Sequence, residues 1–405
     1  MNMGLYIHIP FCRFKCSYCD FNAYAGMRSL YESYARAVVT ETLSFKSKIA
    51  NSKSQVADLR PPTSDLRFPT SELVAETIYF GGGTPSLLPL PLLAEILAAC
   101  RDTFLVPGDA EISLEANPGT VDAAYLNGLR AHGVNRLSLG VQSAHQAELD
   151  FLKRGHSFQD AIETVHLARA AGFDNLNIDL IYGIPRQTMA MWQETVDRTL
   201  ELAPDHVSMY CLTVEERTTL ALWVRRGKSP LPDDDLAADM VLWADERLAA
   251  DGLTRYEISN WARGMNFQCR HNLVYWRNAP YLGFGAGAHS SFDGRRLWNI
   301  KHPREYVRRI EEGQSAVAGL EVIGRELEMG ETMMLGLRLT EGVTFSRFEQ
   351  RFGVAMAEIY AQELRELGEQ GLIEVDAAGV RLTRRGWLLG NRVFAALLPD
   401  STADD

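Results

Sequence analysis

The stretch Cys12-Arg-Phe-Lys-Cys16-Ser-Tyr-Cys19 decides how this chain folds. It follows Tyr6-Ile-His8-Ile-Pro10-Phe, a short apolar run of strand character. Three thiols in a C-x3-C-x2-C spacing on one loop can hold three irons of a four-iron cluster. The fourth iron is then left to a ligand other than protein. Cluster thiolates usually come in fours, so a tight set of three is informative. A zinc knuckle competes, but structural zinc wants four ligands, usually as two pairs.

The rest of the composition is that of an ordinary globular protein. The 405 residues are 46% hydrophobic and 23% charged, enough for two or three domains. A net charge of −11 argues against a nucleic-acid or anionic-membrane surface. No apolar run approaches about 18 residues, so no membrane span is expected. Met1-Asn-Met-Gly-Leu-Tyr6 has neither a basic region nor a cleavage site, so no secretory signal is expected. Cys100, Cys211 and Cys269 are scattered and suggest no disulfide framework. A cytoplasmic, reducing location is expected, which would keep the loop thiols available.

Outward from the cysteines, a helical pattern covers 29–45 and dissolves into a polar, proline-bearing insert at 46–72. That insert contains a tandem repeat, Asp58-Leu-Arg-Pro-Pro-Thr-Ser64 followed by Asp65-Leu-Arg-Phe-Pro-Thr-Ser71. Two copies are too few for a solenoid, and the segment is expected to be flexible. From Thr77 the chain alternates strand and helix. Strands are expected at 77–80, 111–115, 136–141, 176–182 and 206–211, with the first at 5–9. Strands alternating with helices of about 10–15 residues predict a parallel sheet with right-handed crossovers. Six such units predict an α/β fold, an incomplete (β/α)6 barrel, over 1–225. The segment 226–320 is a connecting region with one helix at 234–251; around that helix, 220–235 and 255–299 look irregular and aromatic-rich. From 321 to 405, helices at 326–337, 345–352 and 355–370, two short strands and a last helix predict a winged-helix-like α+β module. Its would-be recognition helix carries Glu358, Glu363, Glu366 and Glu369 against Arg365, so no DNA contact is expected.

In parallel folds, ligand-facing residues lie at the C-terminal ends of strands. The unusual residues sit there: Gly81-Gly-Gly-Thr84, Glu115, Gln142, Asp179 and the cysteine loop. One polar strand end would be noise; five in register point to one site. The cysteine spacing, the Gly-Gly-Gly-Thr-Pro turn and the six strand–helix units together resemble the radical S-adenosylmethionine superfamily. The resemblance implies a [4Fe–4S] cluster on Cys12, Cys16 and Cys19. Its open iron would be chelated by S-adenosylmethionine, which active members cleave to a 5′-deoxyadenosyl radical. In those terms Gly82, Gly83 and Thr84 let the backbone approach a small zwitterion. Glu115 offers a carboxylate to its ammonium and Arg154 a cation to its carboxylate. Gln142 and Asp179 can bind its ribose hydroxyls or head group.

Tyr6-x-His8-Ile-Pro10-Phe-Cys12, Gly81-Gly-Gly-Thr-Pro85, Glu115-x-Asn117-Pro118, Gly140-Val-Gln142-Ser143, Arg154-Gly-His156 and Asp179-Leu-Ile-Tyr-Gly183-Ile-Pro185 are similar to the anaerobic coproporphyrinogen III oxidase family over nearly the whole chain. That resemblance adds Tyr6 and Tyr18 to the S-adenosylmethionine site. The oxidases carry a fourth cysteine two residues after the third, and here Phe21 stands in its place. They also carry an N-terminal extension, whereas Tyr6 here is almost at the start. Both departures, with His271-Asn-Leu-Val-Tyr275-Trp276, resemble the HemW subfamily of heme chaperones. This implies binding of heme and its transfer to an acceptor protein. The alternative is an oxygen-independent coproporphyrinogen III oxidase that decarboxylates two propionates. An electron donor is implied if S-adenosylmethionine is cleaved. Cleavage, peripheral membrane contact, and the choice between monomer and homodimer stay open.

His271 is a usual type of heme ligand, and Tyr275 and Trp276 could pack on a flat porphyrin. Cys269 and His289 are the other ligand candidates. Gly283-Phe-Gly285-Ala-Gly287-Ala-His289 reads as tight packing rather than phosphate binding, because no helix start follows it.

Overall fold

The computed structural model describes residues 2–50 and 73–399. The heptad repeat and the rest of the expected insert at 51–72 lie outside the described residues. The chain divides into two compact units that interleave in sequence: Met1–Leu176, Val214–Ser229 and Pro280–Glu321 form the first; Asn177–Thr213, Pro230–Ala279 and Val322–Asp405 the second.

The first unit is built on four parallel strands, β1 (Asn2–Ile9), β2 (Val74–Gly82), β3 (Glu111–Ala116) and β4 (Arg136–Gln142). Helices α1 (Tyr31–Ala50), α2 (Leu90–Thr103), α3 (Ala123–Ala131) and α4 (Phe158–Ala170) follow them in turn. β1 shows why the sheet sits inside: Met3, Leu5, Ile7 and Ile9 are buried, and so is His8 between them. A strand buried on both faces reads as a near-continuous apolar run. The helices begin where side chains can take up free backbone N–H groups. Asp122 caps α3 through the Tyr125 N–H, and Ser157 with Asp160 forms a capping box on α4. α1 runs to Ala50, past its expected end at 45.

Beyond β1, on the edge away from β2, the segment expected to be irregular is ordered sheet. β7 (Tyr281–Phe284) pairs parallel with β1; β8 (His289–Phe292) and β9 (Arg295–Asn299) then follow antiparallel. These strands are four or five residues long, the first contains Gly283, and they lack the alternation that announces a half-buried strand. The glycine-rich turn between β7 and β8 is tight packing, as expected. A Cβ on Gly285 would lie 2.6 Å from the His8 carbonyl oxygen. α1 fastens this turn. Tyr34 donates to the His8 carbonyl (2.8 Å) and accepts from the Ala286 N–H (2.8 Å). Glu41 accepts from the Gly285 N–H (2.9 Å), the Asn299 amide (2.7 Å) and the Tyr306 hydroxyl (2.6 Å).

In the second unit, β5 (Leu176–Tyr182, from its second residue) and β6 (His206–Cys211) pair in parallel, and α5 (Met189–Leu200) joins them. The short strand Asn260–Ala262 pairs antiparallel with β6. The 220–235 stretch, expected to be irregular, contains the helix Thr219–Arg225 in the first unit, capped by Thr218. The C-terminal module has the expected helices, Arg325–Gly336, Phe345–Phe352 and Met356–Glu369, and the two expected short strands, joined by a third, Val343–Thr344, in a three-stranded antiparallel sheet. Met333, Leu337, Phe348, Leu364 and Phe394 are among its buried core. Among the described residues no helix is long and apolar enough to cross a membrane.

Removing the Glu41 carboxylate would leave three donors without that acceptor. Glu41→Ala is expected to lose about 2–4 kcal/mol of stability in urea unfolding, because buried donors left unpaired cost more than a bond contributes. Glu32→Ala, on the exposed face of the same helix, should stay within about 0.5 kcal/mol of the parent.

Candidate functional site

The cysteine loop leaves the end of β1 and is tied down by four segments. The strand-like pair Phe11–Cys12 and Tyr24–Ala25 closes it on itself. The Ser17 N–H and hydroxyl reach the Leu152 and Phe151 carbonyls (3.1 and 2.9 Å). The Asn22 amide donates to the carbonyls of Ala286 and Lys301 (2.9 and 3.0 Å). The Gly83 and Thr84 N–H groups donate to the carbonyls of Ile9 and Phe11 (both 2.8 Å).

That last contact explains the glycines. A Cβ on Gly83 would lie 2.6 Å from the Phe11 carbonyl oxygen. Gly82 adopts φ +113, and a Cβ there would lie 2.5 Å from the His8 ring. The close approach expected toward a zwitterion is thus made first to the chain's own β1 and cysteine loop. The Gly82 N–H donates to Glu115 (3.1 Å), whose other oxygen accepts from Tyr79 (2.8 Å).

All three loop cysteines are free thiols and half-buried. Thr84 donates to the Cys12 sulfur and Arg154 to the Cys16 sulfur, both at 3.6 Å. Burial pushes the Cys12 thiol up to about 11 and raises Cys19 as well. A coordinating metal deprotonates such thiols outright, and three sulfurs with charge-assisting donors fit a cluster held by three thiolates. Among the described residues no three His, Cys, Asp or Glu side chains gather as a single-ion site would need. A cluster asks for one thiolate per iron instead.

Behind the sulfurs, Arg154 also donates to the Gly140 carbonyl (2.7 Å) and to Asn117, whose amide donates to Thr84 (3.1 Å). Gln142 stands beside Gly140, buried and in left-handed backbone conformation at φ 72. Its amide oxygen is covered and has no hydrogen-bond partner. A strained strand end carrying an orphaned acceptor fits a ligand that brings a donor, such as an ammonium or a ribose hydroxyl. Tyr6 lies against Gly81 and within hydrogen-bond reach of His8 Nδ1 (3.1 Å). Because His8 Nε2 faces the Asn22 carbonyl (2.9 Å), Nε2 carries the proton and Tyr6 donates to Nδ1. Burial and then the Glu115 charge raise the Tyr6 phenol well above its usual range. Burial likewise raises Tyr18, which lies beside Arg154.

The first unit thus brings together Cys12, Cys16, Cys19, Tyr6, Tyr18, Gly82, Gly83, Thr84, Glu115, Gln142 and Arg154. Asp179 stands in the second unit on β5, accepting from Asn177 (2.7 Å). Three residues of the quoted motifs were not expected as site residues: His8, Asn117 and His156. The last is held to the Val141 carbonyl (3.1 Å), and its imidazole is pushed down to about 4 by burial and by Arg154. Spacing announced them, since each lies two residues from an expected site residue.

Of the heme candidates, His271 is buried on α6 (Arg270–Trp276) in the second unit. Its Nε2 is 2.9 Å from the Tyr275 hydroxyl one helical turn on. Cys269 is buried before that helix, its N–H held by Tyr256 (3.1 Å), which also reaches His206 (2.9 Å). His289, in the first unit, is exposed and stacks on Trp298 across β8 and β9.

Residues 6–199 match the Radical SAM superfamily, and residues 325–389 match the HemN C-terminal domain. A Bacillus subtilis protein named "Heme chaperone HemW" is 34% identical over 394 residues, covering 97% of this chain and 98% of that protein. A Mycobacterium tuberculosis protein of the same name is 38% identical over 395 residues, covering 98% and 94%. This chain belongs to the HemW family. The Bos taurus protein "Radical S-adenosyl methionine domain-containing protein 1, mitochondrial" is a further relative, 33% identical over 98% of this chain and 87% of its own. Among solved structures, Escherichia coli coproporphyrinogen III oxidase (HemN) aligns with a TM-score of 0.80 at 24% identity, over 98% of this chain and 90% of its own. The two share a fold. Membership in the radical SAM superfamily implies the [4Fe–4S] cluster and S-adenosylmethionine, and the donor set described above fits both.

Cys12→Ala, Cys16→Ala and Cys19→Ala should each lose the cluster, read as iron and sulfide content after anaerobic reconstitution. Cys100→Ala, Cys211→Ala and Cys269→Ala should keep it. Gly83→Ala should lower cluster content several-fold without touching a ligand, because its Cβ meets the Phe11 backbone.

Proposed function

We propose that this protein is a heme chaperone: it binds heme and hands it to an acceptor protein, on a core that holds a [4Fe–4S] cluster and S-adenosylmethionine. What carries this reading is that relatives 34–38% identical over 97–98% of the chain are named heme chaperones. Phe21 supports it. It occupies the position of the oxidases' fourth cysteine and is 71% exposed, so it offers no ligand there.

The work divides along the chain. Residues 1–225 hold the cofactors, 226–320 carry the His271–Trp276 motif, and 321–405 form the C-terminal module. When bound, the cluster supplies an electron and S-adenosylmethionine a reactive sulfonium. The chain's residues bind and orient them. Cys12, Cys16 and Cys19 hold three irons. Glu115 and the orphaned Gln142 oxygen accept from the ligand's donors. Arg154 sets a positive charge beside Cys16. On the heme side, His271 is the ligand of choice. Tyr275, whose hydroxyl lies 2.9 Å from Nε2, would release that nitrogen to the iron. The alternative reading is the oxidase, which would use the same cofactor residues with an electron donor as partner.

Hemin titrated into the purified protein should give a saturable Soret shift at one equivalent. His271→Ala should weaken it about tenfold, the loss of roughly 1.4 kcal/mol. A titration without saturation contradicts the proposal.

A further inference from the structure

Helix α6 holds an oddity that the motif does not account for. Trp276 is half-buried, and its indole N–H is covered by protein without any hydrogen-bond acceptor. Native structures leave few buried donors unpaired, and each asks for an explanation. A second one lies beside it. The Arg338 guanidinium carbon sits over both rings, 5.1 Å from the centre of Trp276 and 4.8 Å from that of Phe394. Its Nε–H is also covered and unpaired. The Arg338 side chain makes no hydrogen bond or ion pair to any described residue.

A guanidinium offers five donors in a planar fork matched to a carboxylate, so one with no acceptor is unusual. The Glu257 carboxylate is near enough to act on it, but Glu257 is otherwise engaged. It is 1% exposed and accepts from the Ser259 N–H (3.0 Å) and the Asn260 amide. Burial lifts it to about 7, which weakens it as a counter-charge. The stack against two rings holds the fork in place by cation–π attraction. Two covered, unpaired donors, one of them on a preset cation, therefore lie together at the C-terminal end of the helix that carries His271 and Tyr275.

We propose that Arg338 and the Trp276 indole N–H form a carboxylate-binding site, and that the carboxylate it takes is a propionate of heme. This rests on the heme-chaperone reading and deepens it: His271 would choose the metal, and Arg338 the porphyrin's acidic edge. Arg338 is a specificity-determining residue here, acting on a part of the ligand remote from iron.

Hemin and hemin dimethyl ester, whose propionates are esterified, distinguish the two interactions. The parent protein should bind hemin at least tenfold more tightly than the ester. Arg338→Gln should lose that preference and bind both alike, with the Soret position of the bound state unchanged because the iron ligand is untouched. Trp276→Phe, which keeps the ring and removes the N–H, should lose part of it. Should Arg338→Gln fail to fold, the parent's hemin-to-ester ratio still decides: a ratio near one overturns the site. An unchanged ratio in a folded Arg338→Gln overturns it equally. If the parent binds neither compound, the heme reading itself fails and the propionate site falls with it. If it binds both equally, only the carboxylate site is wrong.

Discussion

Backbone contact between the Gly82–Thr84 turn and the end of β1 is the constraint on which the site depends. The N–H groups of Gly83 and Thr84 continue the ladder from β2 onto Ile9 and Phe11, so the strand pairing runs directly into the cysteine loop. A side chain at Gly83 would collide with that backbone, and at Gly82 with the His8 ring. The contact sets the register between sulfur and carboxylate. Cys12 comes under the Thr84 hydroxyl, and Glu115 comes under the Gly82 N–H. An irregular loop is thereby fixed to a rigid sheet without regular structure of its own, which is how sites gain precision from a scaffold.

A second layer holds the loop from the other side. α1 contributes Tyr34 and Glu41, which fasten the Gly285–Gly287 turn; that turn in turn receives Asn22, just beyond Cys19. His8 is the link between the layers, since its ring touches Gly82, its Nε2 bonds Asn22 and its Nδ1 orients Tyr6. Fixing the tautomer of one buried imidazole thus fixes the direction of the tyrosine hydroxyl at the cofactor site. The second unit uses the same device. His206 joins Asn177 to Tyr256, and Tyr256 holds the start of the motif helix.

Much of this was legible in the sequence. The six strands stood out because each is a compact apolar run ended by a polar or glycine residue, and Glu115 and Gln142 mark two of those ends. The C-terminal helices announced themselves by period. What was not legible had physical causes. β7, β8 and β9 are short, and their core partners come from β1 and α1, far back in the chain, so no local alternation records them. The glycines were visible, but what they approach was not: a turn can be seen in sequence, the surface it meets cannot. Arg338 lies far along the chain from Trp276, and an unpaired donor has no sequence signature. The burial of His271, with its Nε2 facing Tyr275, was only a spacing until the helix placed the two residues one turn apart.

The central claim is that a complete radical S-adenosylmethionine site here serves heme delivery rather than porphyrinogen oxidation. The measurement that tests it most directly is an anaerobic oxidase assay on reconstituted, hemin-binding protein, with reductant, S-adenosylmethionine and coproporphyrinogen III. Substrate returned unchanged, with no carbon dioxide released over many equivalents of S-adenosylmethionine, is the predicted result. Protoporphyrinogen formed over repeated turnovers would contradict it.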